Sequence, residues 1–158
     1  MKINLLLDEP DKTRQGYMNI DQYTNTEKEG FLVRDNLKEL SSIDDGECEE
    51  VLALNILEYF PPQDTDNLIN CWARKLQHGG LLVLGFTDIY QLVTAITTRA
   101  LDISNANTVL HGVQDKPWNT KKTSLSMELL TKLLEAKGLK IYYKRLQDTQ
   151  AIIKAARP

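Results

Sequence analysis

The sequence predicts an α/β domain with an open, mostly parallel sheet, helices on both faces and an antiparallel hairpin at the C-terminal end. Short apolar runs alternate with segments whose apolar residues recur at helical spacing, which favours parallel strands joined by crossovers. The last two apolar runs follow each other across a short polar connection, which is typical of a hairpin. The chain has 158 residues, of which 42% are hydrophobic and 26% charged. This length and composition indicate one globular domain, so we interpret residues 1–158 as a single domain.

Five apolar runs in the first ninety residues are predicted strands, and a polar residue directly follows each of them. They are Ile3–Leu7, Tyr17–Ile20, Phe31–Val33, Val51–Leu54 and Leu81–Phe86. The first run is apolar except at Asn4, and we interpret it as a strand buried on both faces. The connection from Leu7 to Tyr17 is too short for a full crossover helix.

The remaining elements are three helices and two strands. The predicted helices are Asp64–Leu76, Ile89–Ala100 and Ser124–Lys137, and the predicted hairpin strands are Leu139–Lys144 and Gln150–Ala155. Asp64 is a candidate N-cap for the first helix, Ser124 or Ser126 for the third, and Gly138 ends the third helix. Between the second and third helices, Asp102–Thr123 is polar and is predicted to be an irregular loop. Loops of this length in a compact domain are often functional.

Composition and charge weigh against several classes of protein. The formal net charge is −3 and no stretch is strongly basic, which disfavours a broad surface for duplex nucleic acid. We expect no signal peptide and no membrane-spanning segment, because no apolar run is long enough for either. Cys48 and Cys71 are predicted to be reduced thiols of a cytoplasmic protein, the first in a loop and the second buried in a helix. No Cys/His cluster has the spacing of a zinc site, so no metal site is predicted.

Polar residues directly follow the predicted strands. They are Asp8-Glu9, Asp21, Asp35-Asn36, Asn55 and Thr87-Asp88. In open α/β sheets, ligands bind outside the carboxyl ends of the strands, where the strand order reverses. The set therefore predicts a ligand crevice, although strands also end at polar turn residues for purely structural reasons.

Five passages resemble the class I S-adenosyl-L-methionine (SAM)-dependent methyltransferases, in particular the small predicted methyltransferases related to family 11. The opening MKINLLL…GYMNID resembles a strand, a loop and a second strand that ends in an acid. The middle passage begins VLALNILEYF, continues through RKLQHGG and ends in the strand LLVLGF. The late passage HGVQDKPWNTKKTSLSMELLTKLLEAKGL resembles the family's loop and helix, and the final hairpin resembles its reversed last strand. The resemblance covers nearly the whole chain and implies a Rossmann-like methyltransferase sheet.

The resemblance also implies roles for individual residues. Asp21 stands where the family's acid binds the ribose hydroxyls, and Asp35 and Asn36 stand where the adenine edge is read. Asn55 is at the position that often lines the methyl-transfer site. Tyr59 replaces a histidine that is often present in the family.

The first turn departs from the family. The family has a glycine-rich turn after the first strand, whereas this chain has Leu7-Asp8-Glu9-Pro10-Asp11 and no glycine before Gly16. Side chains in this turn remove the space and the positive φ that glycine allows. The carboxylates of Asp8 and Glu9 would repel the carboxylate of SAM, or they could pair with its ammonium or sulfonium.

Two functions follow from the resemblance. The first is a SAM-dependent methyltransferase that acts on a small or surface-borne acceptor, with Asn55 at the transfer site and His111 and Tyr59 as candidate proton acceptors. The second is a methyltransferase-like domain that has lost cofactor binding and serves as an interaction module or partner subunit. The glycine-free first turn and the short first crossover favour the second function. Trp118 either covers the acceptor or anchors its own loop, and a Lys121-Lys122 pair either holds an anionic substrate or is solvated.

Overall fold

The computed structural model describes residues 1–26, 28 and 31–158. The strands are β1 (Lys2–Leu6), β2 (Met18–Asp21), β3 (Leu32–Arg34), β4 (Cys48–Leu54), β5 (Leu76–Thr87), β6 (Lys140–Gln147) and β7 (Gln150–Ala156). The helices are α1 (Thr65–Lys75), α2 (Ile89–Thr97), α3 (Ile103–His111) and α4 (Met127–Ala136). Short 3₁₀ turns lie at Pro10–Lys12, Leu57–Tyr59 and Pro62–Asp64. Within the described residues, no helix is long and apolar enough to span a bilayer.

The strands of the described chain form one mixed sheet in the order β3-β2-β1-β4-β5-β7-β6. All neighbouring pairs from β3 to β5 are parallel, whereas β7 runs antiparallel to both β5 and β6. The predicted fold class is therefore confirmed. The strand order reverses between β1 and β4, so the chain places its topological switch point beside the end of β1.

One face of the sheet carries the main hydrophobic core. Ile3 pairs in register with Val51, and Val51 with Leu82, so these side chains share a face. They belong to one buried cluster with Trp72 of α1 and Leu134 of α4. Helices α1 and α4 therefore pack on the same face, where apolar side chains at helical spacing meet those of the strands.

On the opposite face of the sheet, the part formed by β1 and β2 is covered by the β1–β2 connection. Asn4 and Asn19 are paired in register on this face, and both are buried. The side chain of Asn4 donates to the carbonyl of Lys12 (3.1 Å) and to the Oδ1 of Asn19 (2.9 Å). The short β1–β2 connection thus lies over this face, and its one helical element is the 3₁₀ turn Pro10–Lys12. This confirms that the connection has no full crossover helix.

The caps of α4 are those expected from the sequence. Ser126 accepts a hydrogen bond from the backbone N–H of Leu129 (3.1 Å), which is N-cap geometry. The helix ends at Ala136, and Gly138 follows with φ +77°. Glycine takes this left-handed conformation without strain, so it terminates the helix.

Several predicted boundaries were wrong. Asp102–Thr123 is not an irregular loop throughout, because it contains α3; Asp102 caps this helix by accepting from the N–H of Asn105. Strand β5 begins at Leu76 instead of Leu81, because its first residue already pairs with Cys48. Cys48 is therefore a buried strand residue and not a loop thiol.

The hairpin is also tighter than predicted. β6 continues to Gln147, which pairs with Gln150 and leaves a two-residue turn. Asp148 in that turn has φ +53°. Two-residue hairpins need left-handed residues of this kind, and aspartate is one of those that adopt the conformation.

Candidate functional site at the strand tips

Two hollows lie at the carboxyl ends of the strands, and Trp118 lines both of them. The first has a volume of about 220 Å³ and is bordered by the carboxylates of Asp8, Glu9 and Asp115. The second has a volume of about 190 Å³. Its aromatic lining consists of Tyr23, Tyr59, Phe60 and Trp118. Leu7, Tyr59 and Trp118 are common to both hollows, so one crevice is divided into an acidic half and an aromatic half.

Trp118 belongs to the segment Gly112–Thr123, here called the strap. The indole of Trp118 stacks on the ring of Tyr23 with centroids 4.5 Å apart and planes inclined by 12°. Lys116, two residues earlier, forms an ion pair with Asp8 at the end of β1. The hydrogen bond to Asp8 raises the pKa of Lys116, so the amine is held in its charged form. The strap therefore reaches across the sheet and contacts the tips of β1 and β2.

The base of the strap is fixed independently of its tip. The N–H of Lys121 donates to the carbonyl of His111 (2.9 Å), and the N–H groups of Lys122 and Thr123 donate to the carbonyl of Glu58 (2.6 and 3.2 Å). Gly112 has φ +81°, and a Cβ there would overlap the carbonyl oxygen of Asn119. Only glycine fits where the two ends of the strap meet.

Asp21 organises the turn after β1. Its carboxylate accepts hydrogen bonds from the N–H groups of Asp8 (2.8 Å), Glu9 (3.2 Å) and Tyr23 (2.9 Å). The residue is 0% exposed. Because a buried carboxylate needs such partners, these bonds explain why an acid is required at the end of β2. They also mean that both Asp21 oxygens already have donors before any ribose hydroxyl is considered.

The glycine-free turn still reaches the left-handed region. Asp8 has φ +57° and Asn55, after β4, has φ +55°. Aspartate and asparagine tolerate this conformation better than other residues that carry a Cβ. The expectation that side chains would deny the turn a positive φ was therefore wrong at Asp8, whose N–H is held by Asp21.

Asp35 and Asn36 lie after β3 but do not line either half of the crevice. The Asp35 carboxylate accepts from the hydroxyl groups of Ser41 (3.1 Å) and Ser42 (2.6 Å) and from the N–H of Ser42 (2.8 Å). Partial burial would raise the pKa of Asp35, but these hydrogen bonds outweigh it and the net pKa is lowered. Asn36 Oδ1 accepts from the N–H of Lys38 (3.0 Å), so both side chains organise the turn that follows β3.

Glu58 is the most deeply buried acid near the tip of β4. It is 2% exposed, its Oε1 accepts from the N–H of Thr87 (2.7 Å), and Lys121 Nζ lies 3.9 Å away. Burial raises the pKa of Glu58, and Lys121 opposes that rise only in part. Its Oε2, like the Oδ1 of Asn55, is buried and has no hydrogen-bond partner among the residues that the structure describes.

The two candidate proton acceptors are in different places. Tyr59 lines both halves of the crevice; burial and then the charges of Glu58 and Glu9 raise its pKa, which makes its phenol a weaker acid. His111 is exposed at the end of α3 and lines a separate hollow with Lys121 and Ser124 among others. The structure therefore does not place His111 and Tyr59 around one hollow.

The structure thus brings together some of the predicted site residues. Asp8 and Tyr59 line the crevice, and Asp21 supports its floor, whereas Asp35, Asn36, Asn55 and His111 lie outside both halves. Sequence analysis missed Tyr23 and Lys116, which hold the strap in place. Tyr23 follows the β2 acid by two residues, but its partner Trp118 is 95 positions later in the chain, and no local pattern links them.

No family model matches the chain, and no curated protein matches it. Solved structures do match over nearly its whole length. An O-methyltransferase family protein from Burkholderia thailandensis has 14% identity and a TM-score of 0.64, covering 99% of this chain and 50% of that one. This chain is therefore about half as long as that protein. A SAM-dependent methyltransferase from Methanosarcina mazei has 15% identity and a TM-score of 0.63, covering 99% and 92% of the two chains.

A third match is a complex of the Trm112 methyltransferase activator with a putative methyltransferase from Haloferax volcanii. It has 10% identity and a TM-score of 0.63, covering 99% of this chain and 82% of that one. Sequence identities this low support a shared architecture but do not show a shared reaction. Together with the strand order, these matches show that the chain has the class I methyltransferase-like fold.

Proposed function

We propose that the chain is a SAM-dependent methyltransferase whose crevice binds the adenosyl part of SAM in its aromatic half and the cationic groups of SAM in its acidic half. The supporting observation is the division of charge. Three carboxylates, those of Asp8, Glu9 and Asp115, border one half, where Lys116 pairs with Asp8. Four aromatic rings border the other half, which has no carboxylate in its described lining but also includes Lys38 and Lys122. Carboxylates suit an ammonium or sulfonium, and aromatic faces suit both a planar base and a cation.

The residues fit the two ends of SAM. Tyr23, Tyr59 and Phe60 would hold the nucleoside, and Asp8 and Glu9 would hold the ammonium. SAM supplies an activated methyl group, so the protein's contribution is chiefly to orient donor and acceptor. The proposal also includes a small or surface-borne methyl acceptor, a protein partner and a cytoplasmic location.

Calorimetric titration tests this proposal through the acidic turn. We expect SAM to bind, and Glu9→Gln to weaken SAM severalfold while leaving adenosine, which lacks the ammonium, nearly unchanged. Glu9 forms an ion pair with Lys12 in the turn after β1. Glu128→Gln is the matched control, because Glu128 pairs with Lys132 in the same way but lies exposed on α4. Absence of heat with millimolar SAM, in the wild-type chain and in variants of the strap alike, would remove the proposal.

A domain that has lost cofactor binding and acts as a partner subunit is the second candidate. The specific observation in its favour is that three backbone N–H groups already occupy the carboxylate of Asp21. The Haloferax volcanii protein in complex with an activator offers a precedent for a partner on this fold. The same titration separates the candidates, because this one requires that neither SAM nor adenosine binds.

A further inference from the structure

We propose that the tip of the strap is an internal mimic of the ligand, which holds the crevice closed until an adenosyl ligand displaces it. This inference rests on the proposed function. Trp118 presents a planar aromatic ring to Tyr23, and Lys116 presents an ammonium to Asp8. An aromatic base and an ammonium are also the two recognition groups of SAM, so the strap and the ligand compete for the same partners.

The environment of the half-buried Trp118 supports a displaceable occupant. Its Nε1 is buried and finds no hydrogen-bond partner within residues 1–26, 28 and 31–158. An unpartnered buried N–H carries a free-energy penalty, so this indole is not in an optimised core position. By contrast, the Nε1 of Trp72, the other tryptophan, donates to the carbonyl of Leu37 (2.9 Å) in the main core.

The strap is also built so that its tip can leave while its base stays. Residues 113–117 are all exposed. The contacts described from tip to sheet are the Trp118–Tyr23 stack and the Lys116–Asp8 ion pair. The base is fixed by the carbonyls of His111 and Glu58. Swinging the tip out would join the acidic and aromatic halves into one crevice, because Trp118 lines both.

The inference is tested by the binding of S-adenosylhomocysteine to strap variants. This compound is what remains of SAM after methyl transfer. We expect Trp118→Ala to bind it roughly tenfold more tightly than wild type, the scale of one stacked aromatic pair removed from competition. Lys116→Ala is expected to act in the same direction. The matched controls are Tyr142→Ala, an exposed aromatic residue on β6, and Lys132→Ala, an exposed lysine paired on α4. Both controls should bind as wild type does.

Fluorescence provides a second readout that is independent of affinity. Acrylamide should quench the Trp118 component more strongly when S-adenosylhomocysteine is bound, with Trp118→Phe supplying the Trp72 background. Tighter binding by Trp118→Ala together with increased quenching supports the inference. Equal or weaker binding by that variant, or unchanged quenching in a saturated complex, overturns it while leaving the proposed function intact. No binding in any variant overturns both.

Discussion

At the scale of single residues, two buried acids, Asp21 at the end of β2 and Glu58 in the turn after β4, have different environments. Asp21 is fully buried, and its carboxylate accepts hydrogen bonds from three backbone N–H groups. Glu58 is almost as buried, but one of its oxygens has no partner in the described part of the chain, and the Nζ of Lys121 lies 3.9 Å from the other. Burial therefore dominates at Glu58 and raises its pKa. The sequence places Asp21 directly after a predicted strand, but only the fold determines how many hydrogen-bond donors Asp21 and Glu58 find.

Glu58 predicts a pH dependence of stability. Its folded pKa lies above the unfolded value of about 4.3, so the stability it contributes is complete below that pH and is lost as pH rises through the folded pKa. Relative to wild type, Glu58→Gln should therefore gain free energy of unfolding from about pH 4 upward. Urea unfolding at intervals from pH 4 to 8 measures this difference.

Glu128→Gln is the control for that series. Its hydrogen bond and charge interaction with Lys132 lower the pKa of Glu128, so any stability it contributes is present above its unfolded pKa and declines as pH falls. The side chain is 70% exposed, so this effect should be small. A free-energy difference for Glu58→Gln that is flat across the series would contradict the assignment.

At the scale of elements, the strap depends on one glycine. Gly112 has φ +81°, and a Cβ at this position would overlap the carbonyl oxygen of Asn119. Gly138 has a similar φ of +77° but open space around it. Gly112→Ala should therefore destabilise the protein by about 1–3 kcal/mol, and by more than Gly138→Ala, which meets only the backbone strain. Thermal unfolding of both variants provides the comparison, and equal losses would show that the base of the strap is not tightly packed.

The elements also show what the sequence could predict. Strands β1, β4 and β5 and helix α4 were readable because their apolar runs and spacing match buried strands and an amphipathic helix. Helix α3 was missed because Ile103–His111 carries several polar residues and buries only Ala106. The division of the crevice could not be predicted, because the Trp118–Tyr23 stack joins residues that come together only through the strand order.

At the scale of the whole molecule, the strand order places the functional candidates. Reversal between β1 and β4 brings the turn after β1 and the segment after β4 to one edge of the sheet. The strap, which connects α3 to α4, lies over that edge. The methyltransferase-like architecture is therefore retained while the crevice is partly filled by the chain's own residues.

The most direct test of a ligand crevice at the strand tips follows the two indole N–H resonances in a ¹⁵N-labelled sample during titration with S-adenosylhomocysteine. Trp118 lies between the acidic and aromatic halves. Trp72 is 0% exposed, and its Nε1 donates a hydrogen bond to the carbonyl of Leu37. The Trp118 resonance, assigned with Trp118→Phe, should shift progressively and saturate while the Trp72 resonance stays in place. A Trp118 resonance that does not move at millimolar ligand would contradict a nucleoside site at these strand tips.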